Sequence, residues 1–418
     1  MATREEYPQT IEPEPILRAN GVSEPFQRPY RWVILALLWL LYVSFGLITR
    51  SIAPLVTPIL RDLQITYSHM GTILGSWQLT YIAVAIFAGT LIDKWGIRKS
   101  LFSGVIIIGL SSLLRYFPEG FTGMLFAVAL FGVGGPMISI GCPKTIALWF
   151  RGRDRGTAVG IYMTGSYIGM LTALTLTNSM VMPLTGYEWR LVFISYALVA
   201  FTIALLWWVF ARDVSLAAPP ENPGIIETFV KLIKIRNVRI VLITGLLSFA
   251  TVHGFGIWLP KILEAKGLSP TSAGFAASIP IASGIPALLY LPRTVPSHFR
   301  HRIVALSALL TILTLLLIVI TSSTIQIAAL ILYGITGSGF LPILTLILMD
   351  TPEVEARFMG SAGGLFFCIA EIGGFAGPSI MGLLVDLTDT FLAGAIFFAV
   401  LNLAILGLTF LLKIVDLS

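Results

Sequence analysis

Apolar residues along this chain gather into stretches long enough to cross a bilayer, separated by short polar interruptions. Twelve such stretches can be read, near residues 31–56, 70–92, 101–116, 121–148, 157–182, 190–211, 238–260, 270–292, 303–322, 325–348, 358–384 and 390–412. A helix of about 20 apolar residues matches the hydrocarbon core. The pattern therefore predicts an all-α polytopic membrane protein of twelve transmembrane helices. Residues 1–30 are polar, with several prolines and glutamates, and read as a disordered tail with no cleavable signal peptide.

A second break falls at 212–237, where Pro219, Pro220, Pro223 and Gly224 are followed by a basic run. It reads as a flexible linker leading into an amphipathic surface stretch. It divides a first six-helix bundle, 31–211, from a second, 238–412, and residues 413–418 form a short tail. An offset of 202 residues lays Gly132 on Gly334, Arg98 on Arg300 and Arg155 on Arg357. Two pseudo-symmetric bundles, related about an axis along the membrane normal, fit this repeat, with a substrate site between them near the midplane.

Composition agrees with the pattern. Charged residues are 11% of the chain and hydrophobic residues 56%, against about 25% charged in soluble domains. If the N-terminus is cytoplasmic, 20 of the 27 Lys and Arg fall on the inner side and 5 on the outer. That asymmetry predicts an integral plasma (inner) membrane protein with both termini cytoplasmic. The net charge of +6 follows from this bias and implies no nucleic-acid partner. Cys142 and Cys368 lie in separate apolar stretches and read as small packing residues, with no disulfide, metal site or cofactor implied. No catalytic constellation is present, and without GxxxxGK[ST] there is no Walker-type ATP hydrolysis. The chain reads as a secondary or facilitated transporter rather than an enzyme, a monomer whose partners are the lipid bilayer and its cargo.

Between the second and third stretches runs Gly89-Thr-Leu-Ile-Asp93-Lys94-Trp-Gly96-Ile-Arg98-Lys99, and after the fourth comes Trp149-Phe-Arg-Gly-Arg-Asp-Arg155-Gly156-Thr-Ala158-Val-Gly160. With the six-plus-six layout these segments resemble the major facilitator superfamily over residues 31–412. Thr49-Arg50 followed by Pro54 and Gly71 resembles its anion:cation symporters. Trp258-Leu-Pro260 through Gly274, and Gly377-Pro378 through Asp386, look like its cyanate-permease branch. The resemblance implies the major facilitator fold, alternating access and a small anionic cargo, in particular a carboxylate. It also implies a gating role for the loop: Asp93 would approach the start of the eleventh helix near Phe358–Gly360 and pair with cations such as Arg155, with Arg98 beside it. The alternative is a loop whose cations only set topology.

Four ionisable residues sit within apolar stretches, where a charge costs at least about 2.5–3.5 kcal/mol and so marks a functional candidate. Arg50 lies about 28 Å along a helix from Arg31 at ~1.5 Å per residue. Pro54 and Pro58 predict a bent continuation to Arg61. Its planar fork suits a carboxylate, and it is too deep to snorkel easily. Lys144 is a second anion-binding candidate, with snorkelling to the inner interface as its alternative. His253 falls opposite Ser51 by the repeat, either facing the ligand or satisfied by a backbone carbonyl. Glu371 lies near the middle of the eleventh stretch, a candidate for proton coupling or for a structural hydrogen bond. Gln78, Tyr81, Tyr162 and Trp258 complete the candidate pocket. Either a proton or sodium could accompany the cargo. Two other functions are carried forward: an exporter of amphipathic compounds, which the deep cations disfavour, and a non-transporting ligand sensor of transporter fold.

Overall fold

The computed structural model describes residues 29–212, 225–354 and 358–412. The tails at 1–28 and 413–418, residues 213–224 of the linker and residues 355–357, Arg357 among them, lie outside the described residues. Among those described, twelve helices are long and apolar enough to cross a membrane. The first bundle holds span 1 (Tyr30–Leu63), span 2 (Tyr67–Trp95), span 3 (Ile97–Leu114), span 4 (Phe121–Trp149), span 5 (Asp154–Leu184) and span 6 (Trp189–Phe210). A surface helix, Ile225–Lys234, leads into the second bundle. That bundle holds span 7 (Arg236–Ala265), span 8 (Pro270–Thr294), span 9 (Ser297–Ile320), span 10 (Ser323–Met349), span 11 (Met359–Thr388) and span 12 (Phe391–Thr409).

The turns are short and built from local chemistry. Thr66, Ser269 and Thr390 cap spans 2, 8 and 12 by accepting bonds from His69 N, Ser272 N and Leu392 N. Gly96, at φ 82°, makes the sharp passage from span 2 to span 3, a conformation that only glycine adopts without strain.

The repeat seen in the sequence is physical. A Cβ on Gly132 would collide with the Trp77 carbonyl and Thr80 hydroxyl of span 2. On Gly334 it would collide with the Pro280 carbonyl and Ser283 hydroxyl of span 8. Spans 4 and 10 thus cross spans 2 and 8 at equivalent points, each through a missing side chain.

Span 1 is broken as its prolines require. It is α-helical to Arg50, tightens to a 3₁₀ turn at Ala53–Leu55 and resumes at Val56–Leu63. Pro54 cannot donate to the Arg50 carbonyl, nor Pro58 to that of Pro54. Two side chains attend to the break. Asn178 Nδ2 donates to Pro54 O (3.0 Å), and Arg115 Nη1 donates to Ile48 O (3.2 Å) and Ser51 Oγ (2.9 Å). Asn178 belongs to a short π-helical segment in span 5, Thr177–Val181, a rare widening found mostly at functional places. Arg115, expected in an outer loop, is only 1% exposed.

The bundles meet chiefly through spans 2 and 11 and through spans 5 and 8. Their closest contacts lie at the end carrying the turns 64–66, 266–269 and 389–390. There the Asp386 carboxylate accepts from Tyr67 N (3.0 Å) and Ser68 N (2.7 Å), capping span 2 from the other bundle. Thr57 bonds both Glu264 and Lys261, and Thr271 Oγ1 reaches Asn178 O (3.3 Å). Gly71, Gly274 and Gly382 face the carbonyls of Pro378, Leu174 and Tyr67, each in the opposite bundle. At the other end Gly89, Gly156, Gly160, Gly360, Gly363 and Gly364 have open space where a Cβ would stand. Asp154 there pairs with Arg31 (2.9 Å), and Asp350 with Arg300, each inside its own bundle. One end of the protein is sealed and the opposite, cation-rich end is open.

Candidate functional site

Beside the break in span 1, a cavity of about 240 Å³ lies between the bundles. Span 1 contributes Arg50, span 5 Tyr167, span 7 His253, and span 10 Tyr333 and Ser338; much of the remaining wall is apolar. The size is below the roughly 300–1,000 Å³ of drug-sized sites, which suits a small cargo.

Arg50 closes the first α-helical segment of span 1 at the proline break, so its place is set by Pro54 and by the Arg115 bonds on either side of it. Its Nε and Nη1 are buried with no hydrogen-bond partner, as is the Tyr333 hydroxyl. Both converge on Gly256, where a Cβ would stand 3.5 Å from Arg50 Nη2 and 4.0 Å from Tyr333 Oη. A guanidinium with unused donors is suited to a carboxylate, which it can grip through two parallel bonds. The Tyr333 hydroxyl adds a donor beside it.

A line of polar groups leads away from the cavity into the contact between bundles. His253 Nδ1 lies 3.4 Å from Gln78 Nε2, and the His253 ring meets Trp77 edge-on at 6.1 Å. Gln78 is fully buried, with its Oε1 unpartnered. Beyond it, Gln78 and Glu371 meet over Gly374, where a Cβ would stand 2.8 Å from Glu371 Oε2 and 3.4 Å from Gln78 Nε2. Glu371 is buried, and its Oε2 has no partner.

The other expected pocket residues fall elsewhere. Tyr81 Oη is bonded to Ser139 Oγ (2.7 Å) within the first bundle. Tyr162 is a core residue, edge-on to Tyr42 at 4.8 Å. Trp258 donates from Nε1 to Pro378 O (3.1 Å) and packs near Tyr67 at the sealed end. Lys144 corrects the expectation of a second cavity cation: it is ion-paired with Asp93. Span 4 packs on span 2, so a carboxylate stands within reach, and a half-buried ammonium gains more from it than from the wall of a distant cavity.

With this end open, the residues of the expected gate stand apart from span 11. Asp93 is held by Lys144 inside its own bundle, not at the start of span 11, where Gly360 has open space beside it. Arg98 Nη2 donates to Trp208 O and its guanidinium stacks over the Trp208 ring at 4.8 Å, also inside the first bundle. Arg155 is exposed. Tyr333, Ser338 and Arg115 were not singled out in the sequence. Tyr333 could have been found as the neighbour of the repeat glycine Gly334; nothing in the sequence distinguishes Arg115 from a loop cation.

Comparison with known proteins places the chain among membrane carriers. Residues 38–378 match the family model described as Major Facilitator Superfamily. The hexuronate transporter of Bacillus subtilis (strain 168) is 24% identical over 366 residues, 82% of this chain and 85% of the relative. The probable galactarate/D-glucarate transporter GarP of Escherichia coli (strain K12) is 23% identical over 391 residues, 84% of this chain and 86% of the relative. Among solved structures, a point mutant of the nucleoside transporter NupG superimposes with a TM-score of 0.78 at 16% identity, over 90% of this chain and 98% of that one.

Proposed function

The chain belongs to the major facilitator superfamily, and from that premise we propose that it carries a small organic acid of the sugar-acid kind across the plasma (inner) membrane by alternating access. The observation that carries this reading is Arg50, a buried guanidinium with two nitrogens unpartnered beside a small cavity between the bundles. The cargo's carboxylate would bind Arg50, with Tyr333 and Ser338 offering hydroxyls to a polyhydroxylated chain. Related proteins described as hexuronate and galactarate/D-glucarate transporters support the same class of cargo.

Orientation follows from charge. The open end carries the excess of Lys and Arg and is assigned to the cytoplasm; the sealed end faces outward. The structure is then the inward-open state of the cycle. In the opposite state the Asp386 bonds to span 2 and the Gly71–Pro378 contact would part, while the ends of spans 2, 5, 10 and 11 would close over the cytoplasmic side.

The test is uptake of D-glucarate and D-glucuronate into proteoliposomes. Hydrogen bonds to a charged group contribute about 1.5–3 kcal/mol, so Arg50→Ala is expected to raise the half-saturating concentration about 10- to 100-fold in a folded protein. Arg50→Lys keeps the charge but loses the fork and should fall between. Saturable carboxylate uptake unchanged in Arg50→Ala would remove Arg50 from the site. Wild-type flux of amphipathic cations only would replace the reading with that of an exporter.

A further inference from the structure

Spans 2 and 11 touch along a regular ladder that stops partway through the membrane. From the sealed end inward, Gly71 meets Pro378, Gly75 meets Phe375, and Gln78 meets Gly374. Farther in, Gly89 on span 2 and Gly360, Gly363 and Gly364 on span 11 face open space. Glu371 stands at the innermost of these rungs, between Gly374 and the open glycines of span 11. If the bundles rock, this is where the surroundings of a side chain change most.

The surroundings also dictate its charge state. Among the described residues no cation pairs with Glu371, its Oε2 has no partner, and it is only 7% exposed. An ionised carboxylate cannot be held there without large desolvation cost, whereas the uncharged acid can. The ionisable groups around it are Tyr81 from span 2, Cys368 from its own helix and, through Gln78, His253 from span 7. Span 12 carries no ionisable residue, and the one on span 10, Tyr333, faces Arg50.

We propose that Glu371 is the proton carrier of the transport cycle, taking up a proton at the pivot of spans 2 and 11 and releasing it when the bundles rock the other way. The step makes and breaks one O–H bond: hydronium gives the proton to the carboxylate on one side, leaving water, and water accepts it on the other. The coupling is electrostatic and conformational. With Glu371 protonated, the site and its polar line carry the single positive charge of Arg50 and attract an anion. With Glu371 ionised they sum to zero, and the anion is held less well. Proton and carboxylate therefore favour each other's binding, and the effect is reciprocal. Gln78 and His253, in contact with each other between the two charges, are the groups through which each senses the other's site. This rests on the reading of Arg50 as a carboxylate clamp.

The experiment uses the full chain in proteoliposomes with D-glucarate and D-glucuronate in two arms, exchange without a pH gradient and net accumulation with an alkaline interior. One pH unit corresponds to 1.36 kcal/mol per proton, so the wild type is expected to accumulate cargo up to about tenfold per unit per proton. Glu371→Gln, a permanent mimic of the protonated acid, is expected to keep exchange but hold an accumulation ratio of about 1. Glu371→Asp, which keeps the carboxyl, should recover part of the gradient response. Infrared difference spectra of cargo-free protein, taken between acidic and alkaline buffers, should show a protonated-carboxyl band that is missing from Glu371→Gln. Wild-type accumulation in Glu371→Gln, or no such band in the wild type, overturns the proposal. A wild type that shows the band but exchanges neither sugar acid overturns the substrate reading, and with it the coupling to Arg50.

Discussion

Lys144 of span 4 is ion-paired with Asp93 of span 2, and both belong to the first bundle. The pair ties together the open-end halves of spans 2 and 4 on the first bundle's side of the entrance. It also leaves Arg50 as the cation lining the cavity. A carrier whose cargo charge is met by one guanidinium, with a lone carboxyl nearby, has a simpler electrostatic logic than one with two competing cations.

Removing Lys144 should therefore affect the bundle and spare the cargo. Lys144→Met is expected to change the half-saturating concentration by no more than about twofold, within the roughly 0.5 kcal/mol typical of substitutions away from the site. Its thermal stability in detergent should fall by less than about 1 kcal/mol, the range for partly exposed pairs. Combined with Asp93→Asn, the loss should be smaller than the sum. A rise of about tenfold in half-saturation, 1.4 kcal/mol, would return the ammonium to the site.

Arg115 holds Ile48 O and Ser51 Oγ, the residues that bracket Arg50. Arg115→Leu removes the charged donor shared by Ile48 O and Ser51 Oγ, which keep only the bond between themselves. At about 1.5–3 kcal/mol for hydrogen bonds to a charged group, this loosens the segment that aims the guanidinium. Thermal unfolding in detergent should show the destabilisation, and the stabilising shift produced by D-glucarate should shrink with it. A variant as stable and as responsive as the wild type would show that the break needs no such support.

The sealed end depends on missing side chains. At Gly71 a Cβ would run into the Pro378 carbonyl oxygen, backbone that cannot swing aside. Gly71→Val is expected to push the sealed end apart and to slow transport sharply. Spin labels on the exposed positions His69 and Leu387 should report a longer distance. Gly360→Ala, placed where nothing lies within 4 Å, is the control and should behave as the wild type.

Asp386 accepts from two backbone amides at the start of span 2, a helix N-terminus where a negative charge contributes about 0.3–1 kcal/mol. Asp386→Asn should shift the equilibrium away from the sealed state by roughly two- to fivefold. The same pair of labels would read this as a second, longer population. An unchanged distribution would make the cap incidental to gating.

Much of the fold is legible in the sequence. Twelve apolar stretches, the prolines that break span 1 and the glycines Gly132 and Gly334 each express a constraint that acts locally or repeats at a fixed interval. Bilayer thickness sets the length of a helix, a proline removes a known donor, and a duplicated crossing needs a duplicated gap. For the same reason the depth of Arg50 and Glu371 could be estimated by counting residues from a charged end. What counting does not give is azimuth, the direction in which a side chain leaves its helix.

Azimuth decided the rest. Lys144 and Asp93 are 51 residues apart, and only the packing of span 4 on span 2 turns one toward the other. Tyr162 and Trp258 have the composition of pocket residues but point into the core and into the sealed end. Arg115, counted as a loop cation, folds back into the break of span 1, because an unfinished helix leaves carbonyls that need donors. The sequence alone determined that this is a membrane carrier of twelve helices with a few costly charges at depth, since burial in a bilayer is a property of each stretch by itself. Which of those charges share a cavity, and which end stands open, only the tertiary structure decided, because those depend on how helices rotate and lean against one another.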